Sequence, residues 1–159
     1  MKIKKYNGFT LIETLVALVL ITIAITPTIF AAATTNRVAN SIKNNLIAAN
    51  LTQEGIEVIR AIRDTNWFQG TAFDNGLVPG EYEVEWDSDL PLVIYQDRFL
   101  TYGSLGRYRY GAINPTPFKR KITISKPDTY IIKVTSLVTW GEGTQTRSVS
   151  VDSYLYDWK

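Results

Sequence analysis

The chain has 159 residues, with 17 Lys plus Arg against 15 Asp plus Glu and a formal charge of +2. That length suits one ordinary domain plus an anchor, and so small a charge gives no field that draws DNA or anionic lipid to the whole surface. With no Cys and no His, disulfides, Ser–His or Cys–His catalysis, and zinc held by either residue are excluded.

At the N-terminus Lys2, Lys4 and Lys5 crowd before Gly8, and from Phe9 to Ala33 the one ionisable side chain is Glu13. The run TLVALVLITIAITPTIFAAA from Thr14 is about the 20 residues needed to cross a hydrocarbon core. The preceding lysines predict a cytoplasmic N-terminus and export of the rest. Three readings follow: a signal peptide cut after Ala31-Ala32-Ala33, a plain single-span anchor, or an anchor cut early, between Gly8 and Phe9. A charge inside a span costs about 2.5–3.5 kcal/mol on insertion scales. Neither a signal peptide nor a plain anchor gains anything from Glu13 in return.

The stretch KKYNGFTLIE followed by this apolar run resembles the prepilin N-terminus of type IV pilins and type II secretion pseudopilins. The resemblance implies cleavage after Gly8 by a membrane aspartyl prepilin peptidase and N-methylation of Phe9. Glu13 would then meet the Phe9 amine of a neighbouring subunit, since a free α-amine is largely protonated at neutral pH. At 4 Å and an effective dielectric of 20 that attraction is about 4 kcal/mol before desolvation. Both ions lose water, so the role of the pair is axial register rather than large net stability. The alternative is that Glu13 snorkels to the headgroups. Loss of Lys2, Lys4 and Lys5 would turn the side-chain total from +2 to −1, so the basic total of the precursor reflects topology.

Beyond the span, Val38, Ile42, Leu46, Ala49, Ile56, Ile59 and Ile62 recur at helical spacing, which predicts one apolar face on a helix reaching about Asp64. Pro27 predicts a kink or short melted segment. Gly55 predicts either close packing of a strand or a bend. Asn66 is expected to cap or turn the chain, with Trp67 and Phe68 folding back onto the apolar stripe or forming an exposed aromatic patch.

From Gly70 the period changes to two. Asp74-Asn75-Gly76 is a turn signal. GEYEVEWD predicts a strand with Tyr82, Val84 and Trp86 inside and Glu81, Glu83 and Glu85 outside. LVIY and FLTYG are weaker strands. FKRKITISK sets Phe118, Arg120, Ile122 and Ile124 on one parity. Tyr130 to Tyr156 reads as an antiparallel hairpin with Ile132, Val134, Ser136, Val138 and Trp140 together and Val149 and Val151 opposite. This ending is similar to that of minor pseudopilins and minor pilins. The expected class is α+β: a long N-terminal helix packed against a C-terminal antiparallel sheet. The expected organisation is a leader over 1–8, a membrane and assembly helix over 9–33, an amphipathic exported helix over 34–66 and a β-rich head over 67–159.

Asp87, Asp89 and Asp97 form a loose acidic loop whose spacing argues against calcium, and no metal or cofactor is expected. Arg107, Tyr108, Arg109 and Tyr110, with Lys119, Arg120 and Lys121, alternate cations and rings in a manner suited to single-stranded nucleic acid or another ligand. The same pattern arises in a guarded edge strand. No catalytic constellation stands out, so the expected role is structural. The resemblance implies as partners other pilin or pseudopilin subunits, prepilin peptidase, a polytopic inner-membrane platform protein and a cytoplasmic assembly ATPase. It implies a cytoplasmic-membrane precursor that passes into a filament, and the absent cysteines lean toward a minor subunit.

Overall fold

The computed structural model describes residues 8–103, 106–111 and 113–158; Lys2, Lys4 and Lys5 lie outside them. Two compact units emerge, Met1–Ile42 and Lys43–Lys159, and α1 (Leu11–Phe68) contributes to both.

In the first unit residues 11–42 form the beginning of α1. Its apolar side chains face outward: Leu15 is 54% and Phe30 72% exposed. An 18-residue window there has a mean hydropathy of 2.5, and none of it is buried. Side chains of this kind each favour an apolar surrounding by about 1.5–3 kcal/mol. The threonines fit the same solvent. Thr22 donates to the Leu18 carbonyl (2.8 Å), Thr26 to Thr22 (2.7 Å) and Thr28 to Ala24 (3.1 Å), so their hydroxyls do not go unpaired in oil. The melted segment expected at Pro27 is absent: α1 runs through it. A proline withdraws one backbone donor, and the turns on both sides retain theirs.

In the second unit α1 lies on a five-stranded antiparallel sheet of order β2-β1-β5-β6-β7. The strands are β1 (Gly80–Glu83), β2 (Val93–Ile94), β5 (Phe118–Asp128), β6 (Ile131–Glu142) and β7 (Gln145–Tyr156). A separate ribbon pairs β3 (Leu100–Tyr102) with β4 (Tyr108–Tyr110). The strict alternation of β5 and β6 decides the inner face: Phe118, Ile122, Ile124, Ile132, Val134, Val138 and Trp140 are buried, and the register sets Phe118 beside Trp140 and Ile124 beside Val134. Against them α1 buries Ala48, Leu51, Thr52, Gly55, Ile56, Val58, Ile59, Ile62 and Asn66.

The helical stripe is therefore corrected in its first half. Val38, Ile42 and Leu46 are 57–63% exposed and Ala49 is also exposed. At 100° per residue Ala48 points about 160° away from Leu46, and Ala48 and Leu51 meet the sheet instead. Gly55 resolves to close packing. A Cβ there would lie 2.6 Å from Ile122 Cδ1 and 2.9 Å from Ser136 Oγ.

The core divides into two apolar clusters. One gathers Ile59, Ile62, Phe73, Leu77, Val84, Ile124, Val134 and Leu155; the other Ala48, Leu51, Leu100, Phe118, Val138 and Trp140. At the helix end Asn66 turns inward, and its amide donates to the carbonyls of Phe73 (3.2 Å) and Asn75 (2.9 Å). Trp67 packs on the core and meets Trp158 edge-on at 4.9 Å between centroids. Phe68 does not fold back; it is 92% exposed. Phe68, 100° round the helix from Trp67, lies off the face that Trp67 presents to the core.

Candidate functional site

The residues singled out at the amino end occupy the start of α1. Gly8, Phe9 and Thr10 lie outside regular secondary structure and are exposed. Thr10 is the cap: its hydroxyl accepts from the Glu13 N–H (3.3 Å), and its carbonyl accepts from the Thr14 N–H (3.1 Å). Thr10 and Glu13 thus stand at the first and fourth positions of a T-x-x-E capping sequence. Sequence reasoning missed this cap, although the spacing was legible. Glu13 also sits in the first turn, where the helix dipole favours a negative charge by about 0.3–1 kcal/mol in exposed settings. Directly before the cap, the Gly8–Phe9 bond is in irregular backbone, and among the described residues nothing lies within 4 Å of where a Gly8 side chain would begin.

The candidate ligand residues of the head do not gather into one free basic surface. Arg107 lies over the Trp86 ring at 3.9 Å. Arg109 reaches Glu85 (3.4 Å) and Asp87 (3.2 Å). Lys119 pairs with Asp97 (2.5 Å) and Lys121 with Glu81 (2.6 Å). Tyr108 and Tyr110 are half-buried, and the Tyr110 hydroxyl donates to the Arg120 carbonyl at 2.8 Å. Burial pushes both phenols up from their ordinary range. Arg120 is wholly buried, which corrects its place among the contact candidates. Its parity with Phe118 and Ile122 turns it toward α1.

Two buried charges organise the head. Arg120 donates from one terminal nitrogen to the Leu51 carbonyl (3.0 Å) and Glu54 (2.9 Å), and from the other to the Val84 carbonyl. With Ser136 and Gly55 it forms a polar belt between the two apolar clusters. Glu83 is 2% exposed, where alternation had set it in water. The segment Tyr95–Phe99 crosses over it. The Glu83 carboxylate accepts from the Gln96 N–H (3.0 Å), the Arg98 N–H (3.2 Å) and the Arg98 guanidinium. Nothing in the local pattern marks this burial, because the cover comes from residues 12 or more positions away. The same segment is pinned by Asp97. The Lys119 ammonium and then the Tyr95 hydroxyl hold its carboxyl below the usual range, while burial and the hydrogen bond to Asp97 raise Tyr95. The acidic loop is likewise engaged: Asp87 and Asp97 each hold a cation. Among the described residues no group of three or more acidic side chains is arranged to hold a metal ion.

Residues 3–29 match the family described as the prokaryotic N-terminal methylation motif. No curated protein and no solved structure matches the chain. The motif ends within the apolar part of α1, so the amino end is of the type IV pilin or pseudopilin precursor kind, fitted for processing, N-terminal methylation and membrane anchoring.

Proposed function

We propose that the chain is a minor pilin or pseudopilin, a structural subunit of a bacterial type IV filament or type II secretion pseudopilus. Residues 1–8 form the leader, cut between Gly8 and Phe9, and Phe9 is methylated on its new amine. Residues 9–33 hold the subunit in the cytoplasmic membrane and then pack in the filament, residues 34–66 carry the helix outward, and residues 67–159 form the exported head. Platform protein and ATPase extract the subunit, and Glu13 sets its axial register against a neighbour's amine. The observation that carries this reading is a methylation motif laid over the first part of α1, whose apolar side chains have no cover among the described residues. Such a surface needs lipid before assembly and other helices after it.

The role is structural rather than catalytic, and the lack of cysteine supports a minor subunit. A nucleic-acid-capturing or adhesive tip subunit has less support. Of its candidate cations Arg120 is interior, Arg109, Lys119 and Lys121 are paired, and Arg107 lies on a ring.

Sequencing the amino end of the exported protein tests the proposal. N-methylphenylalanine at position 9 is expected. A chain beginning at Thr34 overturns the reading in favour of a signal peptide, and one retaining Met1 in favour of a plain anchor.

A further inference from the structure

The two edges of the head sheet differ in a way that assembly can use. β2 is two residues long. β7 is 12 residues long and pairs with β6 in one unbroken register from Glu142 beside Gln145 to Ile131 beside Tyr156. Exposed edges are normally blunted by shortness, proline, lysine or a bulge. β7 has none of these. Its two charged side chains are drawn back toward β6: Asp152 to Lys133 (2.9 Å) and Thr135 (2.6 Å), and Arg147 to Glu142 (3.3 Å).

The direction of its free backbone groups follows from the turn. Gly143 and Thr144 form a two-residue loop with Gly143 at φ +62°, the type II′ arrangement. In such a hairpin the flanking pair, Glu142 and Gln145, exchange both bonds, and every second residue then bonds inward. The Asp157 N–H donating to the Tyr130 carbonyl (2.9 Å) continues that odd-numbered series. Thr146, Ser148, Ser150, Asp152 and Tyr154 therefore turn N–H and C=O outward, and each is exposed. Beside this row the helix cover runs out. Val138 and Ser136 on β6 are fully buried, yet Val151, the cross-strand partner of Ser136, is 38% exposed. Val149 and Val151 form an apolar ledge.

We propose that β7 is an assembly edge that accepts an extended strand from a different chain, whose alternate small apolar side chains lie on Val149 and Val151. Main-chain bonds supply the affinity and the ledge supplies the register. A second copy fits poorly. Pairing β7 with β7 antiparallel needs a two-fold axis perpendicular to the sheet, which reverses the helix lying on that sheet. Heads that stack in one orientation along a filament are not so reversed; this step rests on the proposed function. A two-fold along the strands sets paired residues on opposite faces, against the pleat. Copies placed side by side in one orientation offer only the two residues of β2.

The test places the photo-crosslinker p-benzoylphenylalanine at Ser148 of the full chain in its own cells, with Thr123 on β5 as control. The expected result is an adduct from Ser148 and not from Thr123, joined to a chain other than this one. Ser150→Pro removes an outward N–H and spares the bonds to β6. It should cut the adduct about tenfold, the equivalent of one lost hydrogen bond, with the thermal transition of the head kept. Ser150→Lys guards the edge with an intact backbone and should also weaken it, and this variant decides if the proline chain does not fold. No adduct, an adduct with the chain itself, or an adduct indifferent to the edge substitutions overturns the proposal. Sequencing the amino end in the same sample separates the two ideas. With Phe9 first, a missing adduct sinks strand addition alone.

Discussion

Arg120 of β5 donates to the Leu51 carbonyl of α1 at 3.0 Å and pairs with Glu54 at 2.9 Å, and its far nitrogen reaches the carbonyl of Val84. One side chain thus ties the helix, β5 and the end of β1 together at the centre of the head. Arg120→Met keeps much of the volume but leaves two backbone carbonyls short of a partner. We expect a loss of about 2–3 kcal/mol. Lys121→Ala, which removes a surface pair with Glu81, should cost less than about 1 kcal/mol. Urea unfolding of the detergent-solubilised chain, followed by tryptophan fluorescence, compares them. Equal losses would contradict the central role of Arg120.

Gly55→Ala should destabilise the head although alanine is the better helix former. Propensity offers about 1 kcal/mol. The added carbon would press on Ile122 Cδ1 at 2.6 Å, and overpacking costs about 1–3 kcal/mol. Ile122→Val removes that methyl. In a double-mutant cycle the pair should be less harmful than the sum of the singles; simple additivity would show that the contact is not the cause.

Glu13 has two separable jobs, a place in the first helical turn and a charge. Glu13→Gln keeps the length and capping ability and loses the charge. If charge sets register, both Glu13→Gln and Glu13→Ala should be cut after Gly8 as usual yet enter filaments about tenfold less well or worse. Immunoblotting of membrane and sheared-filament fractions measures this. Normal incorporation of the glutamine variant would reduce Glu13 to a helix-start residue.

The Tyr95–Phe99 segment should loosen in acid. Asp97 titrates below its ordinary 3.8 because Lys119 and Tyr95 bond its ionised form. A carboxyl depressed on folding contributes stability that is complete above the unfolded value and is lost as pH falls through the folded one. The effect should be confined to pH below about 4 and be small, since the side chain is 63% exposed. Carboxyl carbon NMR should show the Asp97 midpoint rising toward 3.8 in Lys119→Met. An unchanged midpoint would mean that Lys119 is not the cause.

Much of the head was legible because β-sheet parity is a local property. FKRKITISK and the final hairpin announce β5, β6 and β7, and the observed register places Val138 beside Val149 and Ser136 beside Val151 as expected. Arg120 shows both the power and the limit of that reading. Its parity pointed inward with Ile122, while its charge invited a surface role, and parity prevailed because α1 offered Leu51 and Glu54 as partners. Tyr82 and Val84 meet the core as alternation set them, but β1 stops at Glu83 and Trp86 is left 36% exposed.

The sequence by itself determined the amino end. Lysines, glycine, a lone carboxylate and an apolar run make up the methylation motif through their order along the chain, with no folding needed to bring them together. It also determined which segments are helix and strand, since both periods repeat within a few residues. Only the tertiary structure decided which helical face is covered, that Glu83 is roofed by Tyr95–Phe99 and that Arg120 bridges α1 to Val84, just past β1. Those outcomes depend on groups far apart in the chain meeting in space, and the free energy of burying a charge is set by the partners it meets there.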